Sequence, residues 1–433
     1  MMERYRSVYG ARRVQATTGW SRRRRAVVAG VAAITLGLVA AALCRPADPP
    51  TPRPAEPQSR EFLGFDPSRD TAEPSAGTAS LHAAATTPTA ARRVDGQVEV
   101  CGLGLVATSV DDPDGGAHVP PAQRDDAARL LAAALAAAAD ERAQAAGRLL
   151  RLRALREDGS DQAAADAGGT LAELAGAAAQ GGDPAVYAAA LEACGQASAP
   201  APAACAGLSA NRWASLEPSN AAPWLRIAQE ARDAGDDDAL AAAVYQVSLA
   251  KRIDWHEDDL ALAALRAIPA GAAPLARALD ARAISQARDG WAAPAYGGLA
   301  AFCAPGVDAN RDQLCEASAR LLLRPSARPY EARLGARMGR SLGWPARQLD
   351  DLRLRRDALD RIDVDPPADA QPYSCAAAAQ LQQWAATRQR LGETGARRAL
   401  VADAGQRLDD AVVQLRALRA SRAARVAAAQ DEP

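Results

Sequence analysis

Apolar and polar positions change spacing from one part of this chain to the next, and each spacing predicts a different element. Residues 26–44 (AVVAGVAAITLGLVAAALC) run without a charge, which suits the roughly 20 apolar residues that a helix needs to cross a bilayer. Residues 45–95 show no period: prolines from Pro46 to Pro88 stand among Ser, Thr and Ala. That composition cannot bury enough apolar surface to offset ordering entropy, so the stretch reads as a disordered linker. Phe62 and Phe65 are its aromatic island, read as incidental rather than as a docking motif. Residues 98–106 (VEVCGLGLV) alternate and predict a strand or extended arm.

From Pro121 onward Ala, Leu, Arg, Gln and Glu dominate and the breaks fall at Gly, Pro and Asp, which predicts helices throughout. They are placed at about 123–156, 161–180, 184–194, 205–216, 222–234, 237–251, 254–268, 273–288, 299–303, 311–323, 330–342, 345–361, 375–391 and 396–426, with boundaries good to roughly 2–4 residues. Asp183-Pro184 is an N-cap followed by proline at the first helical position, and Asp254 with Glu257 forms a capping box that starts a helix at 254. The expected fold class is all-α: helical hairpins stacked as a solenoid or bundle over residues 96–433, behind a single membrane helix and a linker. In the last helix Val401, Ala404, Leu408, Ala411, Leu415 and Leu418 fall at heptad a and d spacing. The stripe is expected to cap the helical stack, with Arg407, Arg416, Arg419 and Arg422 facing water; dimerisation through it is the alternative.

One stretch combines turn chemistry, aromatic anchors and helical period. In residues 213–251, Pro218 and Asn220 stop one helix and start the next, which Trp224, Ile227, Ala228 and Ala231 stripe, and Gly235-Asp236 turns the chain into a third. Trp213 lies ahead of them as a further packing residue. Trp224, Ala228, Gly235-Asp236 and the preceding Pro218 stand at the offsets of a tetratricopeptide repeat, which residues 203–253 resemble. Leu240 and Val247 depart from the family pattern, which prefers small residues there. The resemblance covers about one repeat and implies stacked helical hairpins and a protein or peptide partner.

Charge sets the topology. The first 25 residues carry eight arginines against one acid, Glu3, so the positive-inside rule places residues 1–25 in the cytoplasm and the rest beyond the membrane. That implies a single-pass protein of a bacterial inner membrane with a periplasmic domain. A cleaved signal peptide stays open as an alternative, because Ala40 and Ala42 form a small-x-small site before Leu43. Without its first 25 residues the chain keeps 43 basic and 51 acidic residues, a formal charge of −8. With 4% aromatic residues, that balance argues against nucleic acid, which needs a basic footprint and stacking platforms.

Seven cysteines are present, and setting aside Cys44 in the apolar run leaves an even six. In an exported chain this points to disulfides. Cys194 and Cys205 bracket one short loop and Cys303 and Cys315 another, leaving Cys101 for Cys375. A metal site is the weaker reading: there is no CxxC, and His82, His118 and His256 lie at no metal-ligand spacing from a cysteine.

Motifs for catalysis are sparse. Ser248 and Lys251 fit S-x-x-K, but Lys251 is the chain's single lysine, so no K-T-G exists. Asp254-Trp-His-Glu-Asp-Asp259 could hold a cation and reads more simply as acids at the positive end of a helix. HExxH, G-x-S-x-G and a phosphate loop are absent. The expectation is a membrane-anchored helical-repeat binding or scaffolding protein without cofactor or metal; an envelope hydrolase with unrecognised catalytic residues is the alternative. A fusion of alkaline phosphatase after Asp95 is expected to be active and one before Arg22 inactive, and activity at the earlier site would overturn the topology.

Overall fold

The computed structural model describes residues 96–109, 111–112, 115–197, 202–291, 294–306, 308–361 and 371–430. The basic N-terminus, the apolar run 26–44, the linker 45–95 and Cys44 lie outside them. Among the described residues no helix is long and apolar enough to cross a membrane.

The described part is mostly helical. A hairpin of β1 (Gln97–Val100) and β2 (Gly104–Ala107) precedes α1 (Pro121–Ala136), α2 (Glu141–Asp158), α3 (Asp161–Gln180) and α4 (Pro184–Gly195). After them come α5 (Ala210–Leu216), α6 (Ala221–Ala234), α7 (Asp237–Leu249), α8 (Glu257–Ala267), α9 (Pro274–Arg288) and α10 (Gly297–Phe302). The chain closes with α11 (Ala309–Leu322), α12 (Pro329–Ser341), α13 (Ala346–Arg361), α14 (Cys375–Asp403) and α15 (Leu408–Gln430).

Short polar side chains start most of these helices by accepting orphan backbone N–H groups. Asp140, Ser160, Asp183, Ser209, Asn220, Asp236, Asp308 and Ser374 each cap the helix that follows. The Asp140 cap divides the single helix expected over 123–156 into α1 and α2: its carboxylate accepts from Ala143 N at 2.9 Å, which starts a new helix inside an alanine-rich run whose period shows no break. Residues 98–106 are likewise a hairpin rather than one strand, because Gly102 and Gly104 take φ of 82° and 83°. Cys101 sits in its turn, donates its N–H to Tyr373 O at 2.8 Å and is disulfide-bonded to Cys375.

Consecutive helices pack on one another from α1 through α4, in α5–α6–α7 and in α11–α12–α13, as hairpins should. Helix α8 breaks that neighbour-to-neighbour order, since it lies against α2, α4, α9 and α14. In a one-dimensional stack each unit touches only its neighbours, so α8 closes the molecule on itself. The core runs continuously from α1 to α14 and is built from many alanines around Leu135, Leu174, Tyr187, Leu225, Leu260 and Ile284. Gly298 allows the closest crossing in it: a Cβ there would collide with the backbone of Ala228 and Gln229 in α6.

The buried stripe of α6 differs from the expected one. Ala221, Ala222, Leu225, Ala228 and Ala231 are buried, whereas Trp224 and Ile227 lie half-buried at the margin. Trp224 turns its ring outward and donates Nε1–H to Pro218 O at 3.1 Å. Trp213, 3% exposed, is the interior anchor. Gly235 holds φ of 69° at the end of α6, as its place in the turn requires.

The C-terminal helix expected over 396–426 is interrupted. Gly392 (φ 70°, ψ 175°) breaks α14 where the chain passes the Ser326 carbonyl, and Gly405 (φ 69°) ends it. The heptad stripe is therefore divided. Val401 packs on Leu359, Val412 and Leu415 pack on Leu354 and Ala358 of α13, and Leu418 is exposed. Arg407, Arg416 and Arg422 face solvent, and half-buried Arg419 pairs with Asp357.

The two tryptophans should separate in stability. Trp213→Ala is expected to cost about 3–5 kcal/mol in urea unfolding, and Trp224→Ala distinctly less. Equal losses would contradict the burial difference.

Candidate functional site

Two turns lie side by side at the start of this site. The turn 217–220 joins α5 to α6, and residues 250–256 join α7 to α8. Lys251 N donates to Ser219 O at 2.9 Å and Ala221 N to Arg252 O at 2.8 Å. Asn220, fully buried, uses its whole amide there. Its Oδ1 accepts from Ala222 N (3.1 Å) and Asp254 N (2.9 Å), and its Nδ2 donates to Glu217 Oε1 (2.9 Å) and Asp254 O (2.8 Å).

Glu217 is 6% exposed and His256 5%. A carboxylate this buried needs cations and donors around it. Glu217 receives them from Trp213 Nε1, Asn220 Nδ2, His256 Nε2 at 2.8 Å and Arg252 at 2.9 Å. The other ring nitrogen of His256, Nδ1, lies 2.6 Å from Asp259 Oδ2. Burial works against the imidazolium, yet the hydrogen bonds to Asp259 and Glu217 outweigh it and push His256 up to about 10. For Glu217 and Asp259 burial raises the pKa, but the hydrogen bonds from His256 and their other donors hold both below the ordinary carboxylate values. His256 takes φ of 60°, the one non-glycine residue with positive φ among those described.

That left-handed residue explains why α8 begins at Glu257 and not at Asp254. The expected capping box does not form; Asp254 instead accepts from His256 N at 2.9 Å and shapes the turn before the helix. The first turn of α8 then places three acids in succession, each met by cations from elsewhere. Glu257 bridges Arg288 and Arg328, both at 2.9 Å. Asp258 receives Arg288 Nε at 2.6 Å and Arg388 at 3.1 Å. Asp259 receives Gln389 and, at 3.5 Å, Arg142. These partners come from α2, α9, α14 and the residue ahead of α12.

Beside the charges runs a line of rings: Trp213 to Trp255 with centroids 6.0 Å apart, Trp255 to Tyr296 at 6.0 Å and Tyr296 to Tyr330 at 5.5 Å. Trp255 Nε1 donates to Tyr296 Oη at 3.2 Å, and Tyr296 Oη donates to Glu331. Burial raises the pKa of Glu257 and of Glu331. Over this wall opens a cleft of about 230 Å³, lined by Arg252, Asp254, His256, Arg388, Arg390 and Glu393 among others.

Asp254, His256 and Asp259 offer ligand atoms within 4.8 Å of one another. A cation would need the lone pair of His256 Nδ1, and the protonated ring spends both nitrogens as donors on Asp259 and Glu217, so the trio fits a salt-bridged structure better than a metal. The Ser248–Lys251 pair is not assembled: Ser248 Oγ donates to Tyr245 O at 2.6 Å, and α7 ends at Leu249, before the lysine. The three cysteine pairs expected from spacing all lie at bonding distance, Cys194–Cys205, Cys303–Cys315 and Cys101–Cys375. Of the residues singled out for packing, Trp213 enters the site directly, while Trp224, Ile227, Ala228 and Gly235 shape the helix beside it.

Glu217 and the arginines 142, 288, 328 and 388 escape sequence reasoning. Glu217, an acid among apolar neighbours directly ahead of Pro218, carries a faint local signal; the arginines carry none. Comparison with protein-family models, with curated proteins and with solved structures returns no match to this chain.

The charge network makes stability depend on pH in a stated direction. A histidine raised from 6.5 to about 10 contributes fully below about pH 6.5, and its contribution is lost as pH rises through about 10. The lowered Glu217 and Asp259 contribute above their unfolded values and lose this as pH falls. His256→Asn, which keeps a residue tolerant of positive φ, is expected to cost about 3–5 kcal/mol near pH 6 and to flatten the decline between pH 6.5 and 10. An unchanged pH profile in denaturant unfolding would contradict the assignment.

Proposed function

We propose that this chain is a membrane-anchored, extracytoplasmic helical-repeat protein whose charged cleft holds a protein or peptide partner. Residues 1–25 stay in the cytoplasm, 26–44 span the inner membrane and 45–95 tether the helical part. The resemblance of 203–253 to a tetratricopeptide repeat supports the choice of partner class. The observation that carries the reading is the state of the cleft's ionisable groups. General acid–base catalysis wants groups that titrate near the working pH, whereas His256 is pushed up to about 10 and Glu217 and Asp259 are held down. With those groups locked as a rigid floor, the exposed residues that line the cleft, such as Arg390, are the ones that offer charge to a partner.

An envelope hydrolase remains the rival because Glu257 and Glu331, with pKa values raised by burial, line the same cleft. Against it, Glu257 is clamped by two guanidiniums and Glu331 accepts from Tyr296 and, at 2.8 Å, from Arg328 N. Neither carboxyl is free to meet a substrate.

The test is photo-crosslinking in intact cells from position 390, where an exposed arginine lines the cleft, with position 173 on α3, also exposed, as control. A discrete protein adduct from 390 alone is the expected result. Absence of any adduct from 390, or the same adducts from both positions, would overturn the proposal.

A further inference from the structure

A second cavity, of about 90 Å³, lies between α12, α13 and α14 and differs in kind from the cleft. Its wall is aliphatic, with Leu323, Pro329, Ala332, Leu352 and Leu359. Its rim carries six arginines, at 324, 353, 355, 356, 397 and 398, against the carboxylates of Asp360 and Glu393.

The arginines divide into two groups. Those on α13 each have a carboxylate partner: Arg353 lies 3.7 Å and Arg356 2.6 Å from Asp357, which Arg419 shares, and Arg355 lies 2.9 Å from Asp351 and 3.2 Å from Asp409. Arg324, Arg397 and Arg398 form no ion pair among the described residues, and Arg397 Nε is buried without a hydrogen-bond partner. Partial burial, with Arg355 beside it, holds Arg398 below the ordinary arginine value. Arg324 and Arg398 are exposed, whereas Arg397 surrenders water at Nε without gaining an anion, which costs stability. Asp360 and Glu393, the rim's two carboxylates, form no ion pair among the described residues and are outnumbered by its arginines, so the rim is positive overall and favours an anion.

Size and wall narrow the ligand further. The cavity, of about 90 Å³, suits a branched aliphatic side chain. A planar guanidinium pair suits the two oxygens of a carboxylate, and a phosphate or sulfate would leave the aliphatic wall unused. We propose that this pocket takes the free C-terminal carboxylate of a peptide ending in an aliphatic residue, with the carboxylate on Arg397 and Arg398 and the last side chain against Leu352 and Leu359. This rests on the reading of the protein as a peptide or protein binder and names the feature of the partner that it holds.

The test is fluorescence polarisation with the full chain in detergent micelles and a labelled pool of random hexapeptides ending in leucine, as free acids and as C-terminal amides. Saturable binding of the acids, weakened by about tenfold or more on amidation, is expected, since a charge-assisted hydrogen-bond pair is lost. Arg398→Ala, at a side chain with no internal ion pair, should weaken the acids to the level of the amides while leaving the melting temperature unchanged. Leu352→Trp should block binding by filling the cavity, with folding checked by the same melt. Equal binding of acids and amides, no binding of either, or displacement by octanoate or inorganic phosphate at the concentration of the peptide pool would each overturn it. A discrete adduct from position 390 together with no carboxylate dependence would sink this inference alone, whereas loss of both would remove the binding function itself.

Discussion

Three consecutive acids at the start of α8, Glu257 buried and Asp258 and Asp259 half-buried, keep their place because cations from four other elements reach them. The helix dipole favours Glu257, Asp258 and Asp259 at that end, but the dipole is far too weak to offset the desolvation of three clustered carboxylates. Arg142, Arg288, Arg328 and Arg388 supply the compensation, and each brings its own segment with it. Electrostatic necessity thereby becomes tertiary structure: α2, α9, the start of α12 and α14 are drawn to one point. Removing a single partner of such a set leaves an uncompensated buried charge, which is why these networks are rigid once formed.

The rigidity extends through neutral groups. Asn220 spends all four hydrogen-bonding positions on two turns, and the ring line from Trp213 to Tyr330 runs beside the charges with two edge-on contacts and one tilted one. The fold then differs from an open stack of helical hairpins at one decisive place. Helix α8 meets α2 and α14, closing the assembly around the charged turn, and the Cys101–Cys375 bond joins the N-terminal hairpin to the start of α14. Around this centre the core relies on alanine and on Gly298, so helices approach closely and individual side chains contribute little; the few large ones, such as Trp213 and Leu225, carry a correspondingly greater share.

The two cavities show the same chemistry with opposite outcomes. In the cleft over α8 cations and anions are matched within the protein, and the charges serve structure first. In the pocket between α12, α13 and α14 they are not: Asp351, Asp357 and Asp409 serve the arginines of α13 and α15, while Arg324, Arg397 and Arg398 form no ion pair among the described residues. An imbalance of that kind is what the proposed peptide carboxylate would offset.

What the amino-acid sequence determined by itself was local. The apolar period, the Asp, Ser and Asn caps and the Gly235 turn act within four or five residues of their own position, so most helices and their ends were legible. The pairing of cysteines across short loops was legible for the same reason, and the third pair followed by elimination. Other features were decided only in three dimensions. Whether Trp224 would be a buried anchor depended on which side of α6 met the core, and Trp213 of α5 took that place. The start of α8 moved from Asp254 to Glu257 because His256 is held left-handed by Glu217, thirty-nine residues away, and by Asp259. The partners of the acidic turn lie as far as 130 residues distant, and among the 51 basic residues of this chain nothing local marks the few that the fold buries.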